Sequence, residues 1–355
     1  MLTEFVPSVD SPRGISSIDL SVSWQQQLKD AVRSVPDLLE LLGLSQHLIA
    51  DSIDIKPHFP LRVPLSYVRR MTTGDPDDPL LLQVLPQQVE RVPRAGFTAD
   101  PLLEQQHNPV PGLVHKYSGR ALLITTQACA VHCRYCFRQH FPYAENRLSS
   151  GHWQPALDYL RQHSGIHEII LSGGDPLSLS NDALTRLIDA LEQIPNLKTL
   201  RLHTRTPVVL PARIDKGLLD LLQRSRLKPV MVVHANHPHE LNDELHLAMN
   251  RLRSVGVMLL NQTVLLRGIN DRAETLVELS QALFTQGILP YYLHVLDPVA
   301  GAAHFDLPDV KARQLWQQMQ SDLPGYLVPR LVREVPGDDH KRWLNAPETE
   351  DRDRI

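Results

Sequence analysis

Cys129, Cys133 and Cys136 are the only cysteines in 355 residues, and they share one short run, C-A-V-H-C-R-Y-C. An apolar stretch, Ala121–Thr126, leads almost directly into them. Three thiolates at spacings of four and three can hold three irons of a [4Fe-4S] cube and leave the fourth iron open to a ligand. The same logic separates open from closed zinc sites. The run therefore asks for a fold that delivers one loop to a ligand-binding face. A closed structural zinc would instead need a fourth ligand such as His132 or His140. A disulfide framework is disfavoured by the odd count and by a chain long enough to build its own core.

Composition narrows the classes further. Hydrophobic residues make up 42% of the chain, enough for a sizeable core, and no apolar run approaches the roughly 20 residues that span a bilayer. The terminus Met1–Arg13 is polar and contains Pro7 and Pro12, unlike a signal peptide or an anchor. A net charge of −4, from 36 basic and 40 acidic residues, gives no global basic field, so neither nucleic acid nor a membrane is expected as a partner. A thiolate cluster needs a reducing compartment, which points to the cytoplasm.

The pattern changes near residue 110. Residues 1–110 hold helix-like segments at Trp24–Val32 and Pro36–Leu44, then prolines from Pro57 to Pro109 that leave room only for short helices and loops. From 111 to 325, β-branched or leucine-rich runs alternate with amphipathic ones. The strands are read at Ala121–Thr126, Glu168–Ser172, Thr199–Thr204, Val230–His234, Val257–Leu265 and Leu289–Leu296. Helices are read between and after them, from Trp153–His163 to Val310–Met319. Six βα units imply an α/β fold with a parallel sheet, a partial (β/α)6 barrel whose strand C-termini share one face. The cysteine loop follows the first of these strands. Residues 326–355 form a separate C-terminal segment, beginning with the strand-like Tyr326–Val335.

After the second strand comes Ser172-Gly173-Gly174-Asp175-Pro176-Leu177. Paired glycines let a backbone approach a ligand, and free backbone groups with Asp175 can bind an ammonium; the same residues also make an ordinary turn. Asp297-Pro298 reads equally as a turn, Glu334 as a surface carboxylate, and Lys341, in E-V-P-G-D-D-H-K, as a solvated lysine.

A resemblance adds to this reading. The pattern C-x3-C-x-aromatic-C, with Tyr135 as the aromatic, resembles the signature of radical S-adenosylmethionine (SAM) enzymes, in which SAM chelates the open iron. Gly173, Gly174 and Asp175 match the turn that holds the SAM amino group in those enzymes. The segments V-P-G-L-V-H-K-Y (Val110–Tyr117), C-R-Y-C-F-R (Cys133–Arg138), L-S-G-G-D-P-L, Arg205–Ile214, Asn261–Asp271 and P-Y-Y-L-H-V-L-D (Pro290–Asp297) resemble the lysine 2,3-aminomutases. The Trp24 region and H-F-P-Y-A-E-N (His140–Asn146) are most similar to the bacterial branch that serves elongation factor P.

That resemblance implies a radical 1,2-amino shift turning free (S)-α-lysine into (R)-β-lysine, with a [4Fe-4S] cluster, SAM and pyridoxal 5′-phosphate (PLP). It implies Lys341 as the PLP lysine, although Asp338, Asp339 and His340 stand where the family has glycines. Arg138 would grip the substrate carboxylate, and Asp297 and Glu334 would read its ε-ammonium, Glu334 replacing a family Asp. Tyr117, Arg120 and Arg205 are expected near phosphate or cofactor, with Lys116 in place of an arginine. Gln262 is expected near SAM and His294 against PLP, where the family has tyrosine. A satisfied strand histidine is the other reading of His294. Longer aminomutases carry a structural zinc; here Arg272 stands where one of its cysteines would be, so none is expected. The implied partners are a reductant such as flavodoxin or ferredoxin and, along the pathway, an elongation factor P lysine ligase. A homo-oligomer stays open. So do an aminomutase for another amino acid, a zinc-stabilised module for RNA or ribosomal partners, and a cluster protein without aminomutase activity.

Overall fold

The computed structural model describes residues 22–44, 52–143 and 153–344. The Met1–Arg13 terminus, the Ala144–Asn146 end of H-F-P-Y-A-E-N and the C-terminal segment beyond Leu344 lie outside them.

Strands β1 (Leu113–Tyr117), β2 (Arg120–Thr126), β3 (Glu168–Gly173), β4 (Thr199–Thr204), β5 (Lys228–Val233), β6 (Met258–Val264), β7 (Leu289–His294), β8 (Arg330–Arg333) and β9 (Arg342–Trp343) form one sheet in chain order. From β2 to β8 each strand pairs parallel with the next. Parallel neighbours need crossovers, and helices Gln154–Gln162, Asn181–Glu192, Lys216–Arg224, Asp243–Ser254, Ala273–Thr285 and Asp309–Asp322 supply them. Three of these helices start where a side-chain oxygen accepts an otherwise orphaned N–H. Ser180 takes that of Ala183, Asp215 that of Leu218 and Asn242 that of Leu245. The expected partial βα barrel is therefore the observed architecture, with β8 continuing it as a seventh parallel strand. The two antiparallel edges, β1 and β9, escaped the sequence reading. β9 is only two residues long, too short for periodicity to reveal.

Strand parity decides which residues face inward. Along β4 burial alternates: Leu200 and Leu202 join the core under the helices, whereas Arg201 and His203 line the barrel interior. The same alternation turns Ile170 and Ser172 of β3, Gln262 and Val264 of β6, and Tyr292 and His294 of β7 inward. Ile169, Leu171, Met231, Val233 and Leu259 pack outward in the main core.

The proline-rich half builds a second core from Leu38, Leu39, Val63, Tyr67, Leu80 and Leu81, continuous with Ala130 and Val131 of the cysteine loop. Hydrogen bonds fasten it to the barrel: Ser66 Oγ donates to Val209 O at 2.6 Å, and Trp24 Nε1 to Asp215 Oδ2 at 3.0 Å. No helix among the described residues is long and apolar enough to cross a membrane.

Candidate active site

Inside the barrel and at the C-terminal ends of its strands lies a cavity of about 260 Å³, and every residue that the resemblance assigns to cluster, cofactor or substrate lines it. The cysteine loop occupies one end. Lys341, Glu334 and Asp297 face it from the C-terminal strands, and Arg138 stands in the wall.

At the cysteine end, Cys129, Cys133 and Cys136 are all free thiols. Burial pushes the Cys129 thiol well up and that of Cys136 up to about 11, so binding a metal must also remove their protons. The imidazoles that a zinc site would recruit are engaged elsewhere. His132 hydrogen-bonds Pro60 O at 2.8 Å and stacks on Phe59, and His140 hydrogen-bonds Ala300 O at 3.0 Å. Among the described residues no three His, Cys, Asp or Glu side chains converge as around a single ion. A cube spreads its thiolates over separate irons, and a loop of three wall-lining cysteines fits that demand.

The glycine pair lines the cavity and also packs against the cysteine loop. Gly173 has φ +115°, and a Cβ there would sit 2.8 Å from Thr126 O; on Gly174 it would sit 2.4 Å from Ala128 O. The turn is pressed against the backbone that leads into Cys129, with Gly174 N–H donating to Thr126 O and Asp175 N–H to Ala128 O. Asp175 also has a structural task. Its carboxylate, expected to meet an ammonium, already accepts from Leu177 N, Thr204 Oγ1, Arg205 N and Thr206 N at 2.7–2.9 Å. A carboxylate has about four acceptor positions, so Asp175 orders the strand ends.

Arg205 lies at this end as well, away from Lys341. Its Nη1 is 2.8 Å from Cys133 Sγ and also meets the Tyr135 hydroxyl, while Nη2 donates to Glu240 Oε1 (2.5 Å), Gln83 Oε1 (2.8 Å) and Tyr67 OH (3.0 Å). Arg205 was expected near phosphate or cofactor, and these contacts put it beside the cysteine loop. Tyr67, Gln83 and Glu240 were missed from the sequence. Two of them sit in the proline-rich half, where no strand end marks them.

The opposite end holds charge in closer balance. Glu334 receives Lys341 Nζ and the Tyr117 hydroxyl (2.9 Å), with Lys116 Nζ at 3.6 Å. Burial alone would raise Glu334, but Lys341, Lys116 and Tyr117 outweigh it and hold the carboxyl at about 2. Lys116 also donates to Leu102 O at 2.9 Å. The short hairpin to β9 places Lys341 here, since Arg333 pairs with Arg342 across it. Asp297 has no such company: burial pushes it up to about 7, Lys341 pulling only partly against that. Arg120 lies over the Tyr117 ring at 4.1 Å. Lys341, the Arg120 guanidinium and an aromatic wall together fit a phosphorylated pyridine aldehyde.

Neutral imidazoles floor the cavity. His294 Nε2 is buried without a hydrogen-bond partner among the described residues. Burial first, and Lys341 second, hold its pKa well below the ordinary value. Gln262 Nε2 meets His234 Nε2 at 2.8 Å, and His203 packs edge-on to His234. His203 and His234 were also missed, although each stands at the C-terminal end of an expected strand. Arg138 is bound to Glu104 by Nε (2.7 Å) and Nη2 (2.6 Å), and to Ser172 Oγ by Nη1 (3.0 Å).

Comparison with known proteins gives the family. Residues 123–279 match the profile of the Radical SAM superfamily. The chain is 50% identical over 323 residues to the L-lysine 2,3-aminomutase of Escherichia coli (strain K12), covering 91% of this chain and 94% of that one. It is 48% identical to the L-lysine 2,3-aminomutase of Haemophilus influenzae (90% and 94% covered) and 33% identical to that of Clostridium subterminale (88% and 76%).

Proposed function

The chain belongs to the L-lysine 2,3-aminomutase family of radical SAM isomerases, and from that premise we propose that it converts free (S)-α-lysine into (R)-β-lysine with PLP bound at Lys341. The family implies a [4Fe-4S] cluster and SAM. The observation that carries the reading is the shared cavity: three cysteines at one end, Lys341 with two carboxylates at the other, and an arginine in the wall.

Bound there, a reduced cluster with SAM supplies a 5′-deoxyadenosyl radical, and PLP supplies the π-system over which nitrogen moves. The chain's own residues bind, orient and exclude water. Cys129, Cys133 and Cys136 hold the cluster. Arg138 meets the α-carboxylate through a charge-assisted fork, and Asp297 with Glu334 meets the ε-ammonium, so the cavity measures an amino acid with a distal cation. Both carboxylates would repel a glutamate side chain. The buried histidine floor, uncharged at neutral pH, adds polar contacts without a cation that would compete with substrate. We place the product upstream of elongation factor P modification by a lysine ligase, and the electron in a flavodoxin- or ferredoxin-type donor.

Anaerobically reconstituted protein with dithionite, SAM, PLP and labelled free lysine should yield (R)-β-lysine. Turnover of glutamate or arginine in preference to lysine would overturn the substrate assignment.

A further inference from the structure

Glu104 has no part in the lysine reading so far, yet both its oxygens hold Arg138. It belongs to the proline-rich half, directly after Leu103, which has φ +49° and ψ +41°. Leu103 is the only non-glycine residue with positive φ among those described, and a bulky side chain in that region carries strain. Contacts on either side keep the turn in place. Glu104 N–H donates to Asp100 Oδ1 at 3.2 Å, and Lys116 Nζ holds Leu102 O at 2.9 Å. The result is a carboxylate only 5% exposed, directed at a guanidinium that is 7% exposed.

A guanidinium has five N–H groups in a fixed plane. Glu104 takes one from Nε and one from Nη2, and Ser172 Oγ takes one from Nη1. One N–H remains on each terminal nitrogen, and Arg138 lines the cavity. With the Nε edge occupied, the guanidinium cannot turn that edge toward a ligand. The pair is also neutral overall, so a ligand carboxylate is held by direction more than by net charge.

We propose that Glu104 is the positioning residue for Arg138, holding its Nε–Nη2 edge so that the remaining fork takes the substrate α-carboxylate. This inference rests on the lysine reading above. Fixing that carboxylate fixes the distance at which the ε-ammonium arrives at Asp297 and Glu334, so Glu104 acts on substrate placement through Arg138.

The test is steady-state kinetics of Glu104→Gln, Glu104→Asp, Arg138→Gln and the Glu104→Gln/Arg138→Gln double variant, on lysine and on lysinamide, which lacks the α-carboxylate. Glu104→Gln should raise KM for lysine about tenfold or more, with a smaller change in kcat, because a charge-assisted contact is misdirected. Glu104→Asp should recover part of the loss. The double variant should be no worse than Arg138→Gln, and lysinamide turnover should respond little to Glu104→Gln. An unchanged or lower KM for lysine in Glu104→Gln at parental iron content, or equal losses on both substrates, would overturn the proposal. If Glu104→Gln loses its cluster, the same comparison is made with Glu104→Asp. An unsubstituted protein that does not convert lysine would overturn the underlying reading as well, and is recognised before any variant is compared.

Discussion

The two ends of the cavity are built differently. Around the cysteines most polar groups of the protein engage one another: Asp175 accepts four donors, and the terminal nitrogens of Arg205 meet Glu240, Gln83 and Tyr67, while Arg205 Nε and Thr206 Oγ1 have no partner among the described residues. Around Lys341 several groups are left waiting. Asp297 is buried and pushed up to about 7, and His294 Nε2 has no partner among the described residues. A cluster needs a rigid cradle that three thiols alone cannot supply, whereas a substrate pocket must keep unmet polarity for its ligand.

The comparison can be broken most severely by removing one end at a time. Lys341→Ala should cut turnover by roughly a thousandfold or more through loss of the PLP anchor while iron and sulfide contents stay at parental values. Joint loss of iron would show that the ends are not separable. Gly174→Ala attacks the other end, since its Cβ has no room beside Ala128 O. Iron content should fall severalfold while borohydride still fixes PLP to Lys341, as peptide mass spectrometry would read.

Asp297→Asn should raise KM for lysine about ten- to a hundredfold, the worth of a charged hydrogen-bond partner. Its pH dependence has a definite sign. Burial raises this carboxyl from 3.8 to about 7, so it is largely neutral below 7, and KM for lysine should fall as pH climbs through about 7. The Asn variant should lose that step. Because the native state binds the proton more tightly than the unfolded chain, ligand-free stability declines between about pH 4 and pH 7, and Asp297→Asn should flatten the decline in thermal melts. The smallest effect belongs to Tyr67→Phe, which removes the hydroxyl shared by Arg205 and Glu240. It should cost about 1–3 kcal/mol in urea denaturation with little change in KM.

How legible the sequence was also differs between the ends. The strands, their order and the cysteine loop could be read because periodicity and βα alternation mark strand ends, and a motif placed on a strand end inherits a position. Lys341 was placed only through the strand-like Tyr326–Val335 before it, because no pattern announces the two-residue β9 that follows it. Glu104, Gln83 and Tyr67 were invisible for a related reason, since they come from short turns between prolines and act across more than thirty residues of chain. The glycine pair and Asp175 were found, but their contacts with the cysteine loop and the neighbouring strand ends were not. A sequence shows that a turn needs glycine, but not whether a ligand or another loop presses against it.

The claim that these ends form one reaction chamber is tested most directly by hydrogen transfer between them. Lysine deuterated at C3, incubated anaerobically with the reduced protein, SAM and PLP, should place deuterium both in recovered SAM and at C2 of β-lysine. β-Lysine formed with no label in SAM, or SAM cleaved with no label from lysine, would contradict the account.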